Sequence, residues 1–253
     1  GKFSQRNFDD DYDLNLKTIR TDNPPRDETI LPKYWLPHNG SEISQDPIND
    51  PEFTLLQRQR MEALLNSQPL PKGLKIHADN SASFWDLHKY PAFNAVRIGL
   101  LQYGVLSNGK SNLGKLNISP TLSFYTKIGL IKKLPKGTSI SYGRKYILKK
   151  DSKIAILTAG YGDGIPIAYG EKGSVIIRDQ LCPIIGQITM DQIIVDVTEL
   201  DVVETGETAI LIGASKTQTI SLESFSKQSK TIPWEILCSI TKRVNRIYIN
   251  PRG

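Results

Sequence analysis

The chain has 253 residues, 39% of them hydrophobic, with a formal net charge of +6, which suits a globular protein with one large core or two modest ones. Its longest apolar runs, such as Ile154–Ala159, fall far short of the roughly 20 residues a membrane helix requires, and no segment reads as a secretory signal, so the expectation is a soluble, cytoplasmic protein with no membrane association. Two cysteines (Cys182, Cys238) and three histidines (His38, His77, His88) exclude a disulfide scaffold and lack metal-ligand spacing, so each thiol is expected buried and free and no metal site is assigned.

Residues 1–40 are polar, with the acidic run Asp9-Asp10-Asp11 and the breaker cluster Asp22-Asn-Pro-Pro, and receive no structural assignment. From Pro51 the spacing predicts a helix: Asp50 caps it, Pro51 suits the first position, and Phe53, Leu56, Arg60 and Leu64 share one face. A strand at Gly73–His77, a helix at Ser81–His88 and a strand at Ala95–Leu101 follow, giving β-α-β order. Gly, Ser and Asn dominate 107–117, which reads as a linker between a mixed segment (41–106) and a β-rich domain (118–253). In that domain the predicted strands are Leu122–Ile131, Ser139–Leu148, Lys153–Thr158, Ser174–Ile177, Ile193–Val197 and Glu207–Ile212, with helices at Ser221–Lys227 and Pro233–Thr241. Lys132, Lys133, Lys136, Arg144, Lys145, Lys149, Lys150 and Lys153 alternate with strand-like residues rather than forming one arm. That pattern favours a solvated basic face over a nucleic-acid surface.

The segment Gly160-Tyr161-Gly162-Asp163-Gly164 follows the apolar strand Ile154–Leu157, and its glycines would let the chain turn sharply and hold a phenol at a strand end. By itself this pattern describes an ordinary surface turn, and a phenol titrating near 10 is a poor base at neutral pH. Further segments surround it: Ile76-His-Ala-Asp-Asn-Ser-Ala, Val96-Arg-Ile-Gly-Leu-Leu-Gln-Tyr-Gly, Ser141-Tyr-Gly-Arg, Gly186-Gln-Ile-Thr-Met-Asp-Gln, and Ile232-Pro-Trp-Glu-Ile-Leu-Cys through Arg243-Val-Asn-Arg-Ile-Tyr.

In this order and spacing the segments resemble the alanine racemases, pyridoxal-phosphate enzymes of fold type III, from about Ile76 to Ile249, with a looser match back to Ser41. The resemblance implies an α/β plus β fold: the C-terminal portion of a (β/α)8 barrel followed by a predominantly β C-terminal domain. It implies pyridoxal 5'-phosphate as cofactor and a two-base racemisation of L- and D-alanine that supplies D-alanine for cell-wall peptidoglycan. It also implies a homodimer in which each subunit's tyrosine serves the partner's site.

Tyr161 then stands as the catalytic acid/base. Arg97 stands where the family arginine faces the pyridine nitrogen; a guanidinium can only donate, which keeps that nitrogen unprotonated and disfavours transamination. Asn80, Ser81, Gly99, Leu100 and Trp234 fall on cofactor-binding positions, the phosphate being held by a hydroxyl and backbone amides. Met190, through its backbone amide, and the adjoining Asp191 fall on the substrate carboxylate position. Without the resemblance, Arg97 reads as a side chain snorkelling from a strand end, Ser81 as a helix cap and Met190 as core filler.

The match has gaps. The cofactor lysine belongs to a Lys-Ala-x-Ala-Tyr-Gly-like motif, and no such motif occurs in the sequence; without that amine there is no covalent cofactor link and no second base. A complete barrel takes about 250 residues, so the stretch ahead of the linker holds only part of one. Together with a start at Gly1 these features read as a truncated chain. Ser41 stands where the family has a histidine, Trp234 where it has a tyrosine, and Gln187 where it commonly has an arginine. The competing readings are an inactive racemase remnant kept as an interaction module, an amino-acid racemase of broader specificity, and a basic nucleic-acid-binding β domain supported by charge alone.

Overall fold

Asp50 and Pro51 start helix α1 (Pro51–Asn66), with the Phe53 amide donating to Asp50 Oδ1 at 3.0 Å, the capping chemistry that the sequence predicts. The structure is a computed structural model that describes residues 50–67, 69–83, 92–105 and 118–249, and the chain divides into two compact units, Gly1–Ile118 and Ser119–Gly253. The polar segment 1–40, Ser41, the second half of the expected Ser81–His88 helix and the 107–117 linker lie outside the described residues.

In the first unit α1 buries Thr54, Arg58, Met61 and Leu65 rather than the expected face of Phe53, Leu56, Arg60 and Leu64. The rotation has an electrostatic cause: Arg58 reaches the fully buried Asp79 with Nε at 3.1 Å and Nη2 at 2.8 Å, and a buried carboxylate demands such a partner. Met61 and Leu65 pack with Ile76 and Phe93 into a small core. Among the described residues the two expected strands are reduced to isolated bridge positions, Lys75 and the parallel pair Asn80 and Arg97. The Asn94 side chain takes the place of a neighbouring strand, accepting from the Ile76 amide at 2.9 Å and donating to the Leu74 carbonyl at 3.0 Å, and such local side-chain bonds compete with a ladder. The end of the second expected strand coils instead into a 3₁₀ turn at Leu100–Tyr103.

The second unit is built from nine strands: β1 (Phe124–Leu134), β2 (Ser139–Ile140), β3 (Tyr146–Ile147), β4 (Ser152–Leu157), β5 (Ser174–Ile177), β6 (Gln180–Pro183), β7 (Ile193–Asp196), β8 (Thr208–Ala214) and β9 (Thr219–Ile220). Seven of them form one antiparallel sheet in the order β6-β5-β8-β1-β4-β7, with β9 on β8, and β2 pairs with β3 apart from it. Long β1 serves two neighbours: Phe124–Lys127 pairs with β8 and Ile128–Leu134 with β4. An Ile184–Val195 bridge and an Ile185 amide bond to the Ile194 carbonyl at 2.9 Å join the two ends, rolling the sheet into a barrel-like form. Ile128, Leu157, Ile176, Ile177, Ile193 and Leu211 are each under 2% exposed, the neighbours Ile176 and Ile177 being buried on opposite faces of β5.

The expected single strand Ser139–Leu148 is two short strands around a 3₁₀ turn at Tyr142–Arg144, because Ser141, Gly143 and Arg144 all have positive φ and cannot extend a strand. Helices α2 (Leu222–Gln228) and α3 (Pro233–Ser239) cover one side. There Phe225 of α2 stacks on Tyr169 with ring centroids 4.0 Å apart. Both cysteines are free: Cys182 is buried as expected, and burial pushes its thiol up to about 11, whereas α3 turns Cys238 outward. Among the described residues no helix is long and apolar enough to cross a membrane.

Candidate active site

The residues expected to meet the cofactor form two groups, one in each unit. In the first unit, Asn80 Oδ1 accepts from the Ala82 and Ser83 amides at 2.9 and 3.2 Å while the Asn80 amide donates to Ser83 Oγ at 2.9 Å, a reciprocal cap that sets the turn at Ser81. Ser81 Oγ accepts from the Gly99 amide at 2.9 Å, so the hydroxyl and the Gly99 backbone sit side by side. Nothing lies within 4 Å of the position a Gly99 Cβ would occupy, leaving the backbone open to a ligand, while buried Leu100 anchors the turn from below at 1% exposed.

Arg97 is half-buried. Its Nη2 donates to the Ala78 carbonyl at 3.1 Å and its Nη1 meets His77 Nδ1 at 2.8 Å. Because a guanidinium has no acceptor, this contact assigns the His77 Nδ1 lone pair to Arg97 and the ring proton to Nε2. A hydroxyl beside an open backbone turn and an oriented, permanent cation fit the phosphate and ring nitrogen of a pyridoxal phosphate. The lysine that would hold its aldehyde is not matched by any motif in the sequence.

In the second unit the Gly160–Gly164 segment forms a short 3₁₀ turn, Tyr161–Asp163. It is fastened to the Thr189–Met190 loop by two backbone bonds, Tyr161 N to the Thr189 carbonyl and Gly162 N to the Met190 carbonyl, both 2.9 Å. Each glycine is required by close approach: a Cβ on Gly160 would lie 2.2 Å from the Thr189 oxygen, one on Gly162 2.3 Å from Arg243 Nη1, and one on Gly164 2.3 Å from the Ser239 oxygen. A free surface turn, the bland reading of Gly-Tyr-Gly, does not pack on three sides in this way.

The Tyr161 side chain is 42% exposed, and its hydroxyl makes no hydrogen bond among the described residues. Tyr169, in the same stretch of chain, is the opposite case. It is fully buried and donates to the Ser174 carbonyl at 2.7 Å, and burial pushes its phenol up to about 12, out of reach of proton transfer. Met190 is 50% exposed and therefore no core filler, and its amide makes no hydrogen bond among the described residues. Trp234, at 43% exposed, stands in the first turn of α3. The last residue of that helix, Ser239, donates to the Gly164 carbonyl at 2.8 Å.

One set of contacts was not readable as such from the sequence. Arg243 pairs with Asp163, Nε to Oδ1 at 3.3 Å, and through Nη2 with Asp191. The second oxygen of Asp163 accepts from the Gly160 amide at 2.9 Å. Arg243 and Asp163 were visible in the quoted segments, but a pairing across so long a sequence separation leaves no local signal.

A family model described as the alanine racemase C-terminal domain matches residues 121–248. The alanine racemase of Halothermothrix orenii is 40% identical over 177 residues, covering 70% of this chain and 46% of that protein. Among solved structures, the Bacillus anthracis alanine racemase with bound L-Ala-P superposes with a TM-score of 0.72 at 28% identity over 84% of this chain and 54% of that one. The Bartonella henselae alanine racemase with covalently bound pyridoxal phosphate gives a TM-score of 0.69 at 30% identity over 83% and 54%. The chain spans about half the length of the relatives it matches. With its barrel, its Tyr161 turn and its paired Thr189–Met190 loop all inside the matched residues, the chain belongs to the alanine racemase family.

Proposed function

We propose that this chain is part of a cytoplasmic, pyridoxal-phosphate-dependent racemase that interconverts L- and D-alanine and so feeds D-alanine to peptidoglycan. The observation that carries the reading is the Tyr161 phenol. It is exposed and unbonded among the described residues, yet it sits on a backbone held from two sides. A group that must exchange a proton with a substrate carbon has to be positioned by its backbone and left free at its tip.

When bound, pyridoxal phosphate supplies the electron sink that makes the α proton of an amino acid removable. Ser81 and the Leu100 amide would hold the phosphate in the turn that Asn80 caps, the Gly99 amide being given to Ser81 Oγ. Arg97, kept in place by His77 and the Ala78 carbonyl, donates to the ring nitrogen and keeps it unprotonated. The free Met190 amide and neighbouring Asp191 receive and flank the substrate carboxylate. Tyr161 Oη takes the α proton on one face and returns it there. Residues 41–106 contribute part of a (β/α)8 barrel, 107–117 link it to the β domain 118–253, and in a homodimer Tyr161 completes the partner's site. Support for the cofactor comes from the Bartonella henselae relative, whose pyridoxal phosphate is covalently bound.

Alanine incubated in deuterated water tests the assignment. Tyr161→Phe should slow α-proton exchange from one enantiomer by about 10²- to 10⁴-fold, the size of a general-base contribution, while exchange from the other persists. Equal loss from both enantiomers, with no one-sided exchange left, would remove Tyr161 from a two-base scheme.

A further inference from the structure

We infer that Arg243 is a positioning residue for the proposed racemisation, clamping the Tyr161 turn to the Thr189–Asp191 loop so that the phenol and the Met190 amide keep a fixed separation; this rests on the role proposed for Tyr161. One guanidinium joins carboxylates from two different loops, Asp163 through Nε at 3.3 Å and Asp191 through Nη2. An isolated surface ion pair contributes little. This one differs because Asp163 is buried, at 9% exposed, and its other oxygen is committed to the Gly160 amide at 2.9 Å. The planar fork of arginine holds its donors at fixed angles and spread over three nitrogens, whereas a lysine ammonium gathers three rotatable donors on one atom and fixes no such geometry.

The clamp is also supported from its own side of the chain. Thr241 Oγ1 donates to the Gly162 carbonyl at 2.8 Å, the Thr241 amide meets the Asp163 carbonyl at 3.3 Å, and the Arg243 amide donates back to Thr241 Oγ1 at 3.3 Å. The guanidinium lies where a side chain on residue 162 would be, with Nη1 2.3 Å from that Cβ position. Gly162 is therefore the opening through which Arg243 reaches both loops. Its amide in turn bonds the Met190 carbonyl at 2.9 Å.

Amide hydrogen exchange of the full chain reads the clamp directly and needs no cofactor. Arg243→Met should speed exchange at Tyr161 and Gly162 by about tenfold, the size expected for losing a charge-assisted hydrogen bond. Ala155 and Val195, paired across β4 and β7, should keep their rates and so report an intact barrel. Gly162→Ala, which displaces the guanidinium without removing it, should move the same two amides; Arg243→Lys, with charge but no fork, should not restore their protection. In the complete racemase Arg243→Met should lower kcat by about ten- to a hundredfold, as displaced reacting groups do, with a smaller change in KM. Unchanged exchange at Tyr161 and Gly162 in Arg243→Met, or a change confined to Gly162→Ala, would overturn the clamp and leave the racemase reading intact. A wild-type enzyme without racemase activity but with clamp-dependent exchange would do the reverse.

Discussion

At the scale of single residues, a tight turn of the second unit is fastened to its neighbour by a side chain. Arg178 and Asp179, between β5 and β6, both have positive φ, the geometry of a two-residue hairpin turn. Asp179 then ties that turn to the next, accepting from the Ser215 hydroxyl and from Thr217 N and Oγ1 at 2.8 and 2.9 Å. These donors, the Ser215 hydroxyl first, lower the Asp179 carboxyl to about 2. A carboxylate depressed in the folded state contributes stability that is fully present above its unfolded value, near 4, and is lost as pH falls through about 2. Urea titrations from pH 5 down to pH 2 should therefore show Asp179→Asn losing less stability with acid than the wild type over that window. Parallel curves for the two proteins would show that the turn does not depend on the ionised group. Nothing in the local sequence announces this pairing, since Ser215 and Thr217 approach only once β8 lies beside β5.

At the scale of elements, what was legible depended on whether the deciding contact was local. The start of α1 was readable from Asp50-Pro51, and β5 (Ser174–Ile177) was readable from its apolar run bounded by a glycine and a charged turn. The buried face of α1 was not, because Arg58 turns inward only to meet Asp79, which is 21 residues away. Edge-type β6 was hidden by Pro183, a residue that argues against a strand unless it sits at a margin or end. The same distinction runs through the candidate site: family order brought Tyr161, Met190 and Asp191 into view, whereas their fastening by Arg243 depends on the fold. The Arg58–Asp79 pair, with side chains 5% and 0% exposed, allows a test of what α1 gains from it. Arg58→Met strands a buried carboxylate and should cost about 3–5 kcal/mol in chemical denaturation, while Arg58→Met with Asp79→Leu should recover most of that loss. Equal destabilisation by the single and double variants would assign the cost to lost packing instead.

At the scale of the whole molecule, three of the described basic side chains are matched by acidic partners. Lys150 pairs with Glu199, Lys230 with Glu171 and Arg178 with Glu207, each at 2.7 Å, and Lys153 turns its ammonium to the Leu200 carbonyl. In the proposed reaction Arg97 is the charge that this chain would bring to the cofactor, and no lysine of the 253 residues lies in the family motif. That division makes a prediction about cofactor chemistry. Pyridoxal phosphate held by Ser81 and Arg97 should raise the melting temperature of this chain, since a ligand at a hundredfold excess over its Kd adds about 2.7 kcal/mol to the folded state. Arg97→Met and Ser81→Ala should each reduce the shift. Borohydride reduction followed by peptide mass analysis should then find no single lysine among these residues modified in stoichiometric yield, because none of them lies in a Lys-Ala-x-Ala-Tyr-Gly-like motif. One fully labelled lysine within the chain would overturn that expectation. Absence of any thermal shift, with or without the substitutions, would remove the Ser81–Arg97 turn from cofactor binding while leaving the Tyr161 barrel to be tested on its own.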